Sequence, residues 1–404
     1  MANQTDKALH NHRHCMVVHA YYPLGETRVE REAHALIDQG CEVDVICLKR
    51  AGDVSQETIN GVGIYRMPVS RHKKSGRFVQ LLEYLAFFFL AAIKLSSLYV
   101  GKRYDSVQAH NLPDFLVFSA IIPKIFGAKV ILDIHDMMPD FYAASVDGDF
   151  NSLPVKLILW EEKLSCRFAN HVICVTENAR QALIDRGVPP DKISIVMNVA
   201  DSKIFFRLPD IEFPGAKEGK FRLVYHGTMT NRYGVDLLVK AVAQVRKEIP
   251  DIELMLIGGG EFRDELIALC DDLELEDQIF FAPNVVPAAD LPAMLRECNF
   301  GVVPNLNDTF TDGLLPTKLM EYTALGIPVI AAKTTTISDY FDDDMVLFFE
   351  PGNLDDLCLK IIESHINPQL GVDLIRDSDK FNANYSWEKI SSEYVALVNR
   401  LNQS

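Results

Sequence analysis

The stretch "TDGLLPTKLMEYTALGIPVIAAK", running from Thr311 to Lys333, decides how the rest of the chain is read. It has the grammar of a loop, a helix, a tight turn and a buried strand. Pro316 suits the first helical position, where a missing N–H is no loss. Leu315 precedes it, and Thr317 and Lys318 fall in the first turn. A lysine there opposes the helix dipole unless an anion offsets it. Glu321 lies one turn further along the same face. A carboxylate accepts hydrogen bonds from both hydroxyls of a ribose diol. Two readings compete. One is an exposed Lys–Glu pair contributing a few tenths of a kcal/mol. The other is a socket for a phosphate and a sugar ring.

Working outward, short apolar runs alternate with amphipathic helical patterns along the whole chain. The first half holds "HCMVVHAYY", "CEVDVICLK", "GIYRMPV", "YDSVQAH", "KVILDIHD", "NHVICVTE" and "ISIVMNV". The second holds "RLVYHGT", "IELMLIGGG", "QIFFAPNV", "FGVVPN", "PVIAAK" and "MVLFF". Val/Ile/Leu-rich strands alternating with helices specify parallel sheets covered on both faces. The helix "TRVEREAHALIDQG" closes on Gly40 as helices do. "GVGIYR" reads as a hairpin turn. A break rich in Pro, Gly and charge lies at 200–220. The expected fold class is α/β with two Rossmann-like domains, 1–205 and 206–384. Open parallel sheets bind ligands beyond the carboxyl ends of their strands, so a cleft between the domains is expected to hold the chemistry.

Composition removes other classes. The chain has 404 residues and a formal net charge of -16, which is the wrong field for general nucleic-acid binding. Its eight cysteines form no C-x-x-C and no zinc spacing, and read as buried thiols in a reducing compartment. The N-terminal "MANQTDKALHNHRH" lacks the apolar core of a signal peptide, so a cytoplasmic location is expected. No G-x-G-x-x-G follows the first strand, which disfavours an NAD-dependent dehydrogenase. One segment stands apart. "FVQLLEYLAFFFLAAIKLSSLYV" (Phe78–Val100) follows Arg66, Arg71, Lys73, Lys74 and Arg77 with no acid among them. Glu83 and Lys94 interrupt it, leaving about half of the roughly 20 apolar residues that a span needs. A basic approach to an apolar helix suits the cytoplasmic face of an anionic membrane, and peripheral contact through 66–100 is one expectation. A solvated loop leading into a core helix is the other.

The remaining candidates stand at strand ends. Gly227 ends "RLVYHG", Arg232 follows in the loop, and a helix starts near Gly234, a ready anion site. Gly259 is the centre of the run Gly258–Gly260 after another strand, a weak nucleotide-turn signal. In "VILDIHDMMPDFY", Asp133, His135 and Asp136 cluster where ionisable groups are enriched for function. His110 and Asn111 end a neighbouring strand. Gly25, Thr27 and Arg28 form a loop that is expected to close over phosphates.

These residues resemble the GT-B glycosyltransferases of the large retaining family 4. The resemblance runs through "GETRVEREAHALIDQGCEVDVI", "DIHD", "VMNVADSKIF", "YHGTMTNRYGVDLLVKAV", "LIGGGEFRDEL", "LPTKLMEYTALGIPVIA" and "YSWEKISSEY". It implies a GT-B fold whose final helix, 385–404, packs back on the N-terminal, acceptor-binding domain. The C-terminal domain would bind the donor. It implies transfer of a sugar from a nucleotide diphosphate, UDP before GDP, to a hydroxyl acceptor, with configuration kept. No cofactor and no metal are implied. The acceptor would be a lipid-linked or polysaccharide precursor glycan. His135 and Asp136 map to the "HD" motif as the catalytic pair. Glu321 maps to the second Glu of E-x7-E. The first Glu is replaced by Gly313, leaving Asp312 beside the donor sugar. The G-R-x5-K-G pattern is altered to Thr228 and Tyr233, with Arg232 and Lys318 as substitutes. The alternatives are a nucleotide-sugar epimerase on the same fold, and a non-catalytic nucleotide-binding partner subunit of another transferase.

Overall fold

The computed structural model describes residues 9–23, 26–70, 76–146, 148–208 and 219–403. Gly25, Arg71, Lys73 and Lys74 therefore lie outside the described residues, as do residues 209–218 of the linker. The chain forms two compact units, one of residues 1–198 with 388–404, the other of 199–387. The first unit closes at Asn198 rather than at 205, because the chain beyond it packs with the second unit. There Phe205 is buried, and the Phe206 carbonyl accepts from Arg296.

Unit 1 is built on an eight-stranded sheet. Its strands are β1 (Arg13–Tyr21), β2 (Glu42–Leu48), β3 (Gln56–Ile59), β4 (Val62–Met67), β5 (Ser106–His110), β6 (Lys129–Asp133), β7 (His171–Cys174) and β8 (Ile193–Ile195). The order is β3-β4-β2-β1-β5-β6-β7-β8, parallel except for β3. All seven apolar runs of the first half are strands. The sequence reading omits β3, whose "QETI" is a polar edge strand. It pairs antiparallel with β4 through a turn at Asn60 and Gly61, both at positive φ, as a two-residue hairpin needs.

Register places the functional residues. His110 at the end of β5 pairs with Asp133 at the end of β6, so both side chains arrive at one level of the sheet edge. Helix α1 (Thr27–Asp38) buries Val29, Ala33 and Leu36 at helical spacing, and Gly40 leaves it at φ 86°. Helix α2 (Arg77–Lys102) buries the stripe Phe87, Ala91, Leu95 and Tyr99 in the unit 1 core. By length and composition it could cross a membrane, and only 22% of its most apolar window is buried. The other helices used below are α3 (Ile121–Ile125), α4 (Leu153–Phe168) and, in unit 2, α5 (Val235–Val245) and α6 (Thr317–Leu325). The last helix is α7 (Trp387–Gln403), which belongs to unit 1 from Glu388 onward.

Unit 2 carries a six-stranded parallel sheet of β9 (Phe221–His226), β10 (Ile252–Ile257), β11 (Ile279–Phe281), β12 (Phe300–Val303), β13 (Val329–Ala332) and β14 (Leu347–Phe349). The order is β11-β10-β9-β12-β13-β14. All six apolar runs of the second half are strands. Helix α5, which packs against β10, buries seven of its eleven residues. All eight cysteines are buried and unpaired.

Candidate active site

In unit 1 one carboxylate organises the strand ends. Asp133 is fully buried. Its Oδ2 lies 3.0 Å from His110 Nδ1 and 3.1 Å from His135 Nε2, and accepts from Arg28 Nε at 3.1 Å and Gln108 Nε2 at 3.2 Å. Its Oδ1 accepts from Arg28 Nη2 at 2.9 Å. The Arg28 charge, after overcoming burial, holds Asp133 well below the usual carboxylate range. Burial opposes charging His135, but the Asp133 carboxylate overrides it, and His135 titrates above its ordinary value. Its neighbour His110 is driven the other way, to about 4, mainly by burial. One imidazole is thus kept ready to carry a proton and the other is kept neutral.

The loop after β6 is fixed by Asn111. Its side-chain oxygen accepts from the His135 backbone N–H at 2.8 Å, and its amide donates to the Asp136 carbonyl at 2.7 Å. Burial raises the Asp136 carboxyl above its ordinary value. His110, Asp133 and His135 offer three ligand atoms within 4.8 Å, a spacing that can hold a metal ion. Arg28 and Gln108 already fill the carboxylate that would have to bind it.

Arg28 corrects an expectation. It does not close over a phosphate. It is buried in the first turn of α1, bidentate to Asp133, paired with Glu32 at 3.1 Å, and donates to the Val196 carbonyl. Gln108 and Tyr394 are functional neighbours that the sequence reading missed. Gln108 Nε2 donates to Glu32 at 2.8 Å, and its oxygen accepts from Tyr394 of α7 at 2.7 Å. The Tyr394–Gln108 pair is separated by 286 residues, which no local pattern reveals. Burial raises Glu32 to about 7.

In unit 2 the opening stretch forms its helix one residue later than expected. Pro316 is the N-cap, and Thr317, exposed, is the first helical residue. Leu315 is half-buried ahead of it. Lys318 is only 9% exposed, so it is not a solvated surface lysine. Its ammonium stands 4.8 Å from the Tyr225 ring centroid and 5.0 Å from that of Tyr233, within cation–π range. Among the described residues no carboxylate forms an ion pair with it. Burial pulls its pKa down to about 8, with Glu321 opposing. Tyr233, at the family's lysine position, is thus one wall of the substitute lysine's pocket.

Glu321 is held by a residue that the sequence reading passed over. His226 Nε2 lies 2.5 Å from its Oε2, leaving Oε1 available. Gly227 follows at φ 120°, and a Cβ there would meet Lys318 Cε at 3.2 Å. The bare glycine gives the lysine stem its space. Gly258 and Gly260 pack against the backbone of Gly227 and Met229, and Gly259 lies against Asn284. The triplet therefore shapes the loop after β9 from behind. Arg263, also missed, ties that turn down by donating to the Gly258 and Ala282 carbonyls. Arg232 sits in the short turn Asn231–Tyr233 with its guanidinium 5.3 Å from the Phe310 ring centroid. Asp312 accepts from the Thr335 N–H at 2.8 Å, at the start of the short helix Thr335–Tyr340. That hydrogen bond occupies one of its oxygens. A Cβ at Gly313 would meet nothing within 4 Å.

The two sheets, with chemistry at their strand ends, define an α/β protein of the GT-B class. Across 96% of this chain and 99% of the other, the fold matches sucrose-phosphate synthase from Thermosynechococcus elongatus at TM-score 0.78 and 18% identity. Over the same shares it matches Anabaena HepE, solved in complex with UDP-glucose, at TM-score 0.70 and 15% identity. Residues 25–198 match the glycosyl transferase 4-like domain, and 207–380 match glycosyl transferases group 1. The chain belongs to these family-4-type glycosyltransferases. Among sequence relatives is the phosphatidylinositol N-acetylglucosaminyltransferase gpi3 subunit of Schizosaccharomyces pombe, 21% identical over 90% of this chain and 74% of that protein.

Proposed function

We propose that this glycosyltransferase moves a sugar from a nucleotide-diphosphate donor to a hydroxyl acceptor with retention of configuration. The observation that carries the donor reading is Lys318. It is a cation buried at a helix N-terminus, with no carboxylate among the described residues paired to it, beside the bare backbone of Gly227 and one turn from Glu321. A diphosphate supplies the anion that both the ammonium and the helix end call for. Glu321, steadied by His226, then takes the ribose hydroxyls. A fixed cation in a dry pocket stabilises a departing diphosphate through electrostatics alone, which favours metal-independent transfer. UDP is the favoured nucleotide, supported by the UDP-glucose complex of the HepE neighbour. His135 serves the transferred sugar, with Asp133 sustaining its charge. A lipid-linked acceptor is favoured by the lipid named for the fission-yeast relative.

The exposed apolar side of α2 favours peripheral contact with a membrane through 66–100. Arg66 contributes nothing to that contact, since it is buried against Asp53 and Glu57. Calorimetric titration with UDP, GDP and ADP, with and without chelator, tests the donor reading. Chelator-insensitive binding of UDP, followed by donor turnover, is expected. Failure of all three nucleotides to bind would overturn the donor reading, and UDP binding without turnover would favour the non-catalytic nucleotide-binding subunit instead.

A further inference from the structure

Helix α4 presents an apolar stripe that no described residue of unit 1 covers. Leu153, Leu157, Trp160 and Leu164 are exposed, Trp160 by 63%. They are spaced four, three and four residues apart, which is one helix face. Val155, Glu162 and Cys166 face the core instead. Lys156, Lys163 and Arg167 are the exposed charges of the same helix, and among the described residues no carboxylate pairs with them. Its two acids do not offset them. Glu162 is buried on Arg186, and burial raises both Glu161 and Glu162 to about 8. In a chain of net charge -16, this is a locally cationic, apolar surface.

The surface continues onto neighbouring helices. The stretch Asp114–Ala120 packs against both α2 and α4. Phe115 meets Phe88 of α2 at 5.8 Å, and Phe118 meets Phe168 of α4 at 4.9 Å. From it projects α3, exposing Ile121, Ile125 and the following Phe126 beside Lys124. On α2, Phe78, Leu82, Phe89 and Ile93 are exposed.

We infer that α3 and α4 form a second membrane-docking face, seating Trp160 and its leucine stripe in the headgroup region of an anionic bilayer with Lys156 and Lys163 toward lipid phosphates. The inference extends the membrane reading of 66–100 and rests on it. Lipid is the occupant that fits. An interfacial helix needs a leucine and tryptophan stripe flanked by lysines, and anionic headgroups complement unpaired cations. The early turns of α2 also expose Phe78, Val79, Leu81 and Leu82 on more than one side, which suits a bilayer better than a single groove.

The chain has two tryptophans, so W387F leaves Trp160 as the sole indole reporter. With phosphatidylglycerol vesicles at low salt, its emission should shift to the blue and be quenched by brominated acyl chains. Phosphatidylcholine vesicles should give neither change. L157E should weaken partitioning about tenfold. Sedimentation with vesicles without any change at Trp160 would overturn the α3–α4 face and leave the α2 contact standing. No sedimentation at all would remove the membrane reading altogether, without touching the donor site. A lipid-free oligomer that L157E dissolves would also overturn the inference, because a second copy would then cover the stripe.

Discussion

Replacing Lys318 with methionine keeps the stem's volume between Tyr225 and Tyr233 and removes the charge. The size of the effect follows from burial. The ammonium's pKa falls from an ordinary 10.5 to about 8. At about 1.4 kcal/mol per pH unit, holding it charged in the folded protein therefore costs on the order of 3 kcal/mol. The sign for stability is fixed by linkage. Between about 8 and 10.5 the unfolded chain binds the proton that the folded chain has lost. This group's contribution to stability therefore rises with pH across that window. K318M should be at least as stable as the parent below pH 8, and should lose that rise. Nucleotide binding has the opposite sign. A docked diphosphate favours the charged ammonium, so UDP affinity should be flat below about pH 8 and fall above it. A charge-assisted hydrogen bond to the diphosphate is worth about 1.5–3 kcal/mol, so K318M should bind UDP roughly ten- to a hundredfold more weakly. Calorimetric titration from pH 7 to 9.5 on both proteins measures this, with K318M cancelling any titration of the nucleotide itself. Equal UDP affinity in the two proteins, or identical pH profiles, would refute the reasoning.

H135A should lower the turnover number by about two orders of magnitude while leaving UDP affinity within about twofold, read from steady-state kinetics beside calorimetry. Because Asp133 raises the His135 pKa, the stability from this pair is full below the unfolded value of about 6.5. It should disappear as pH rises through the higher folded value, and H135A should flatten that limb of the unfolding profile. Y394F leaves the Gln108 side-chain oxygen without its donor, and should destabilise unit 1 by about 1–3 kcal/mol in chemical denaturation. An unchanged His135 titration by NMR in Y394F would show that the tyrosine does not reach the histidine through Gln108. G313E adds a side chain where a Cβ meets nothing, so the melting temperature should stay put while relative turnover among UDP-sugars changes. A large drop in melting temperature would contradict the open loop.

The parallel strands were legible because a strand buried on both faces is a nearly continuous apolar run, as in "KVILD" and "RLVYH". Strand β3 was not, since an edge strand is partly solvated and its "QETI" alternates polar residues. Lys318 and Glu321 were legible from local rules of helix dipole and helix face. His226 was passed over because its role depends on β9 and α6 meeting across 95 residues of sequence. Gln108 reads as one polar residue within a strand, and only the register of β5 beside β6, with Tyr394 arriving on α7, gives it partners. Helix boundaries follow the weaker signals, which is why Pro316 became a cap instead of the first helical residue.

Arg28 was expected in a loop closing over phosphates, and comparing it with Lys318 shows what separates a structural cation from a binding one. Arg28 and Lys318 are both buried near the start of a helix, and in both cases the helix dipole demands an anion. In unit 1 the chain supplies it. Asp133 and Glu32 close on Arg28 at 2.9 and 3.1 Å, and Asp133 in turn charges His135. In unit 2 the chain supplies aromatic faces and a glycine's empty space, while Glu321, one turn on, is engaged by His226. A buried cation given rings in place of a carboxylate is incompletely neutralised, because a cation–π contact recovers only about 0.5–2 kcal/mol. That deficit can be met from outside the chain. It makes Lys318, and not Arg28, the residue at which a diphosphate would bind.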